Sequence, residues 1–336
     1  MIVATAVAGN ANADAKVARV TVTVPARLHL GFVDLHGGLG RRFGSLGIAV
    51  DMPRTRLSVE FGERLSVQGA DAARAQRHVE MLAERYRLDR RCELRVDESI
   101  PAHVGLGSGT QLALATGAAV ARLFGLELDA RTIGGLLDRG ARSSIGIATF
   151  EQGGVVLDGG RGEDDAPPPV LSRLPFPEQW RILLIFDHRR RGLHGPEEAT
   201  AFHRLPLFPA EEAARLCRLV LMAALPALAE QNLDGFGAAV AQLQHAIGDY
   251  FAPVQGGRFT SPAVAEVLAW LEAEGIAGVG QSSWGPTGFG LVGSDSDAAM
   301  LVAAAGRRWP RESGLSFAVS RGRNRGADIE ILRAAR

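Results

Sequence analysis

The chain has 336 residues, 46% of them hydrophobic and 22% charged, and its 37 basic residues balance 37 acidic ones. That is enough chain for two domains with separate cores, in the composition of a globular protein. A net charge of zero excludes a global basic field for nucleic acid or anionic membrane, and no apolar run reaches the ~20 residues of a membrane-spanning helix. Lys16 is the only lysine. A cation that touches substrate is therefore a guanidinium, which forks phosphate or carboxylate. Cys92 and Cys217 lack C-x-x-C spacing and read as buried free thiols of a reducing, cytoplasmic compartment.

In chain order, residues 1–17 read as a disordered tail. A-N-A at 11–13 resembles a signal cleavage site, but no basic stretch precedes it. Structure is expected from Arg19, where Val20, Val22 and Val24 alternate with polar residues as in a half-buried strand. A second strand is expected over 56–67. Val79, Leu82 and Tyr86 recur at helical spacing within 75–88, and a strand follows over 92–96. A helix over 110–124 closes at Gly125. The polar stretch G-G-R-G-E-D-D-A-P-P-P, residues 159–169, reads as a linker between an N-terminal domain (18–165) and a C-terminal domain (175–336). Beyond it come a buried strand over 180–186 and long helices over 210–231, kinked at Pro226, and 233–247. The last third alternates: helix 262–274, strands 275–280 and 288–292, helix 295–309 capped by Ser294 or Asp295, and strands 315–319 and 328–332. This pattern predicts an α+β sandwich, a sheet with helices on one face.

The most informative stretch is V-G-L-G-S-G-T-Q-L-A-L, residues 104–114. Small residues at Gly105, Gly107, Ser108, Gly109 and Thr110, with Gln111, let backbone N–H groups approach an anion, and the following helix adds its positive end. A tight turn into a core helix explains the same glycines. No lysine follows the last glycine, so this is not a Walker A loop.

Three further segments sharpen the choice: P-A-R-L-H-L-G-F-V-D-L-H-G at 25–37, R-S-S-I-G-I-A-T-F-E-Q-G-G at 142–154 and V-G-Q-S-S-W-G-P-T-G-F-G at 279–290. With the loop, the first and last resemble the motifs of the GHMP kinase superfamily in corresponding order. The resemblance implies a GHMP kinase-like two-domain α+β fold: an N-terminal domain like ribosomal protein S5 domain 2, with a left-handed βαβ unit, and a C-terminal ferredoxin-like sandwich. Aligned on Gly153 and Gly154, the place of the kinase aspartate falls on Gly146, which can neither accept nor orient a proton. Together with Q-S-S-W-G-P-T and G-L-H-G-P-E-E at 192–198, the chain more closely resembles the beta-ribofuranosylaminobenzene 5'-phosphate synthase family. That resemblance implies condensation of phosphoribosyl pyrophosphate with 4-hydroxybenzoate or 4-aminobenzoate, releasing carbon dioxide and pyrophosphate, on the way to methanopterin-type carriers. It also implies Mg²⁺ or a similar ion, no ATP, no nucleic acid or membrane partner, and a homodimer. Two rivals stay open: a GHMP-family ATP-dependent kinase with a relocated base, and a non-catalytic sugar-phosphate-binding relative.

Candidate roles follow from that chemistry. Gly105, Gly107, Ser108, Gly109, Thr110, Gln111 and Arg27 are expected to hold phosphate; Ser108 and Thr110 could equally cap the helix. Arg142 is a second guanidinium clamp. Arg27 is either a clamp or a structural partner of Asp34 or Asp51. Asp34 is a catalytic charge or metal ligand, with Glu197 the other metal candidate, unless Glu197 and Glu198 only favour a helix start after Pro196. His29 either donates to a phosphate, moves the proton of the ring donor, or is a hydrogen-bonded strand residue. Ser143, Gln281, Ser282, Ser283 and Trp284 are expected around the acceptor, the indole either stacking on the benzoate or packing in the core.

Overall fold

The computed structural model describes residues 17–163, 166–193 and 195–334. The expected tail lies outside the described residues except for Val17, which opens the first strand. That strand, β1 (Val17–Asp34), buries Val20, Val22 and Val24 as their alternation predicts. It pairs antiparallel with β2 (Gly44–Phe61). Then follow β3 (Ser66–Gly69), α1 (Ala72–Tyr86) and β4 (Cys92–Glu98), with β3 and β4 parallel neighbours, as a helical crossover requires. Next come α2 (Ser108–Leu123), α3 (Ala130–Leu136), α4 (Ile145–Glu151), β5 (Val155–Asp158) and β6 (Val170–Leu174).

β2 begins at Gly44, well before the expected strand start at Arg56. The cause is two-sided burial. Leu46, Ile48 and Val50 face the main core, while Gly47 lies against Ile145 of α4. With both faces covered, the two-residue period disappears and no alternation marks the strand. The helix of the glycine loop starts at Ser108, and α3 and α4 were too short to leave a periodic signal.

The second half holds β7 (Arg181–Asp187), α5 (Pro196–Arg204) and α6 (Ala210–Leu219). A π turn at Val220–Ala224 leads into α7 (Leu225–Ala229). The expected kink at Pro226 takes this form: its ring would meet the carbonyl of Met222, and the wider turn admits it. Then come α8 (Leu233–Gln255), α9 (Pro262–Ala273), β8 (Val279–Gln281), β9 (Gly288–Val292), α10 (Asp295–Arg308), β10 (Leu315–Ser320) and β11 (Asp328–Arg333). Ser294 caps α10, its hydroxyl accepting from the Asp297 N–H. No described helix is long and apolar enough to cross a membrane.

Two sheets result. The second runs β10-β7-β9-β8, all antiparallel, with helices between β7 and β8 and between β9 and β10, which is the ferredoxin-like order expected. The first runs β11-β1-β2-β4-β3, with β5 joining β2 and β6 joining β5. Here the expected domain division needs correcting. Residues 159–169 form the loop of the β5–β6 hairpin, so β6 belongs to the first sheet. β11 also returns to that sheet, where it covers the open edge of β1. A polar, proline-rich stretch reads as a linker in composition, but a hairpin loop has the same composition. Cys92 is buried as expected, whereas Cys217 is exposed.

Candidate active site

The loop 104–111 owes its shape to two left-handed glycines. Gly105 has φ 87° and Gly107 φ 78°; a Cβ at Gly105 would lie 2.1 Å from the Ser282 carbonyl oxygen. Only glycine allows that backbone approach. The Gln111 N–H donates to Gly107 O, which leaves the N–H groups of Ser108, Gly109 and Thr110 without intrahelical partners at the positive end of α2. No side chain caps this end, and the Ser108 hydroxyl makes no hydrogen bond among the described residues.

All the motif segments converge here. Ser282 Oγ donates to Gly105 O (2.7 Å) and accepts from His29 N–H (3.0 Å), joining β1, the loop and the 281–284 turn. Arg27 Nη1 donates to Gly105 O at 2.6 Å, and its stem lies along Gly107. Gly192 N–H donates to His103 O, and a Cβ on Gly192 would stand 2.5 Å from Trp284 O, so Gly192 packs between loop and turn. Gly146 packs against the first turn of α2, where a Cβ would meet Thr110 Cγ2 at 2.8 Å. Position 146, where the sequence resemblance sets the kinase aspartate, therefore has no side chain and little room for one.

Arg27 makes no ion pair with Asp34 or Asp51. Asp51 pairs with Arg323 at 3.1 Å. Burial lowers the Arg27 pKa to about 10, against the raising influence of Glu198, so the guanidinium stays charged at neutral pH. Glu198 also pairs with Arg142 at 2.7 Å, and Arg142 lies over the Phe202 ring at 5.3 Å. Phe202 meets Phe43 edge-on at 5.4 Å, giving a half-buried corner of one guanidinium and two aromatic rings.

Several expected site residues turn out to be structural. Gln111 is fully buried, and its Nε2 donates to Gly146 O at 2.8 Å, tying α4 to α2 rather than reaching a phosphate. Ser143 Oγ donates to Asp158 (2.8 Å) and accepts from Ile145 N–H. Gln281 is locked by Thr260 N–H at its Oε1 and by Ser283 O at its Nε2. Trp284 is core: 2% exposed, stacked on Phe251 at 4.1 Å and edge-on to Phe202. A ring already sandwiched by the fold cannot serve as a substrate platform. His29 is buried beside Phe32, and burial, aided by the charge of Arg27, lowers its pKa to about 3. It is a neutral imidazole whose Nε2 is buried without a partner. Next to it is a cavity of about 20 Å³, lined also by Gly31, Phe251 and Ser283, with room for a water.

Asp34 ends β1 and closes a turn by accepting from the His36 and Gly37 N–H groups. It stands seven strand positions from Arg27, roughly 20 Å along an extended chain. Among the described residues no group of three or more His, Cys, Asp or Glu side chains could hold a metal ion. The groups around the loop are guanidiniums and amides, which suit an anion and do not fit a protein-held Mg²⁺.

Sequence reasoning missed Arg74 and Arg139. From the position of a Cβ on Gly109, Arg74 Nη1 is 3.8 Å away and Arg139 Cζ 4.0 Å. The only available signal was the run D-R-G-A-R-S-S at 138–144, from which Arg142 and Ser143 were singled out and Arg139 was not.

Family models place this arrangement. The GHMP kinases N terminal domain matches residues 73–154, and the GHMP kinases C terminal model matches 224–311. The beta-ribofuranosylphenol 5'-phosphate synthase of Methanothermobacter thermautotrophicus is 31% identical over 337 residues, covering 93% of this chain and 98% of that protein. That of Archaeoglobus fulgidus is 32% identical over 321 residues, covering 91% and 98%. The chain belongs to the beta-ribofuranosylphenol 5'-phosphate synthase family. Its fold is shared with mevalonate diphosphate decarboxylase from Staphylococcus aureus, at TM-score 0.65 and 14% identity over 94% of this chain and 98% of that one. The glycine loop and Gly146 both lie within the matched N-terminal domain.

Proposed function

We propose that this chain catalyses the reaction for which its relatives are named, joining the ribose 5-phosphate of phosphoribosyl pyrophosphate to a 4-substituted benzoate. The observation that carries the proposal is the pairing of an anion-binding helix start at Ser108 with Gly146 where a kinase would need a carboxylate. Anion binding is retained and hydroxyl activation is not. The name of the relatives, a ribofuranosylphenol synthase, favours 4-hydroxybenzoate over 4-aminobenzoate as acceptor.

The electron balance needs no oxidant. The ring carbon bearing the carboxylate attacks the anomeric carbon with a ring π pair, pushed by the para oxygen. The bond to pyrophosphate breaks, and its electron pair leaves with the pyrophosphate. Loss of carbon dioxide returns the carboxylate bond's pair to the ring and restores aromaticity. The protein's part is position and charge: N–H groups 108–110 and Arg27 for the donor's phosphate groups, and the Arg142–Phe202–Phe43 corner for the benzoate. A divalent ion, in this proposal, enters as the counter-ion of the pyrophosphate donor and offsets charge on the departing oxygens. The proposal includes a cytoplasmic location, a homodimer and a place in methanopterin-type carrier synthesis.

The test supplies phosphoribosyl pyrophosphate, Mg²⁺ and carboxyl-labelled 4-hydroxybenzoate or 4-aminobenzoate, without ATP. Labelled carbon dioxide that appears only with the sugar donor is expected. No release from either acid overturns the proposal.

A further inference from the structure

We propose that Arg74 and Arg139 form a two-guanidinium clamp on the Gly109 side of the loop, and that this clamp takes the diphosphate group of the sugar donor. The inference rests on the donor named above and assigns one end of it to residues that no motif marked.

The two arginines come from different elements, Arg74 from α1 and Arg139 from the segment between α3 and α4. Both guanidiniums close on Gly109, the loop glycine with the most room around it: the nearest atoms to a Cβ there are Arg74 Nη1 at 3.8 Å and Arg139 Cζ at 4.0 Å. Arg139 is half-buried, yet its guanidinium has no hydrogen bond or ion pair among the described residues, and its Nε is buried without a partner. Arg74 pairs with Asp71 at 2.7 Å, and Ser99 Oγ holds that carboxylate at 2.9 Å. One turn along α1, His78 is 6% exposed and its Nδ1 has no partner. Burial and the nearby charges of Arg139, Arg74 and Arg77 keep this imidazole neutral. Like charges are thus held together at a partly desolvated spot: Asp71 pairs with Arg74, while Asp138 acts on Arg139 only through space, without an ion pair among the described residues. Such an arrangement is costly unless an anion completes it.

On the other side of the loop both guanidiniums are already engaged. Arg27 donates to Gly105 O, and Glu198 faces both Arg27 and Arg142. The donor carries a single phosphate at one end and a more highly charged diphosphate at the other. The larger negative charge belongs with the pair that includes the unpartnered Arg139 guanidinium, and with the free N–H groups of Ser108, Gly109 and Thr110 beside it.

The experiment measures binding of inorganic pyrophosphate and of ribose 5-phosphate to wild type, Arg139→Gln, Arg139→Lys and Arg74→Gln by titration calorimetry, with melting temperatures of the free proteins. Loss of a charge-assisted bond predicts about a 10- to 100-fold weaker pyrophosphate affinity for the Gln variants. Arg139→Lys should fall between, because an ammonium keeps the charge and loses the fork. Ribose 5-phosphate affinity should stay within about twofold. Arg139→Gln relieves like-charge repulsion, so the free protein should melt no lower than wild type, whereas a structural arginine would lower it. Steady-state kinetics should show a raised KM for the sugar donor and an unchanged KM for 4-hydroxybenzoate. Unchanged pyrophosphate affinity overturns the clamp, and selective loss of ribose 5-phosphate affinity overturns its assignment to the diphosphate. Pyrophosphate binding needs no turnover, so failure of the clamp and failure of the proposed reaction read out separately.

Discussion

Ser282→Ala tests the joint on which the loop rests. The hydroxyl is wholly buried and makes two bonds, accepting from the His29 N–H at 3.0 Å and donating to Gly105 O at 2.7 Å. Alanine leaves the His29 N–H unsatisfied on a buried strand, which costs about 1–3 kcal/mol. The Gly105 carbonyl keeps its bond from Arg27 Nη1 at 2.6 Å, so its loss is partial and adds at most about 1 kcal/mol. The expected destabilisation is about 2–3 kcal/mol. Urea unfolding followed by tryptophan fluorescence measures it, since Trp284 stacks on Phe251 next to the altered residue. Ser283→Ala is the control: that hydroxyl makes no hydrogen bond among the described residues, and the change should stay within about 0.5 kcal/mol. A Ser282→Ala effect no larger than the control would refute the reasoning. The loosened loop should also raise the KM for the sugar donor more than that for the acceptor.

Other outcomes follow from the same geometry. Ser108→Asp sets a carboxylate where the helix start receives phosphate, and should raise the donor KM by about 10-fold or more with circular dichroism unchanged; an unchanged KM rejects the loop as the phosphate site. Trp284→Ala should cost about 3–5 kcal/mol as a core truncation, whereas a substrate platform would leave melting temperature unmoved and raise only the acceptor KM. Acid should weaken the fold. Folding holds His29 at about 3 and His78 at about 4, both below the unfolded value near 6.5, so their contribution is complete above pH 6.5 and is lost as pH falls. At pH 5 the two together cost about 4 kcal/mol. Asp158 works the other way. Burial raises it to about 6 despite four hydrogen-bond donors, so it returns about 1 kcal/mol over the same range. Equal stability at pH 7 and pH 5 in urea titrations would contradict both histidine assignments.

Local signals were enough for much of this protein. Alternating valines located β1, periodic apolar residues located α1, and the order of helices and strands after residue 262 anticipated a sheet with helices on one face. The glycine loop was legible because backbone dihedrals are a local property: Gly105 and Gly107 sit where a side chain would be strained. Gly146 was legible too, since the absence of a side chain is written in one letter. Burial and partnership were not. Trp284 and Gln281 stand in the most distinctive string of the chain, yet the fold gives one to Phe251 and the other to Thr260 and Ser283. Arg74 and Arg139 carry no motif and look like any arginine in a chain that has almost no other cation. Only the packing of α1 and the α3–α4 segment around Gly109 sets their charges side by side. Periodicity and dihedral preference act between neighbours in sequence, whereas desolvation and charge balance act between neighbours in space. The tertiary structure alone decided which guanidiniums are already paired and which still lack an anion.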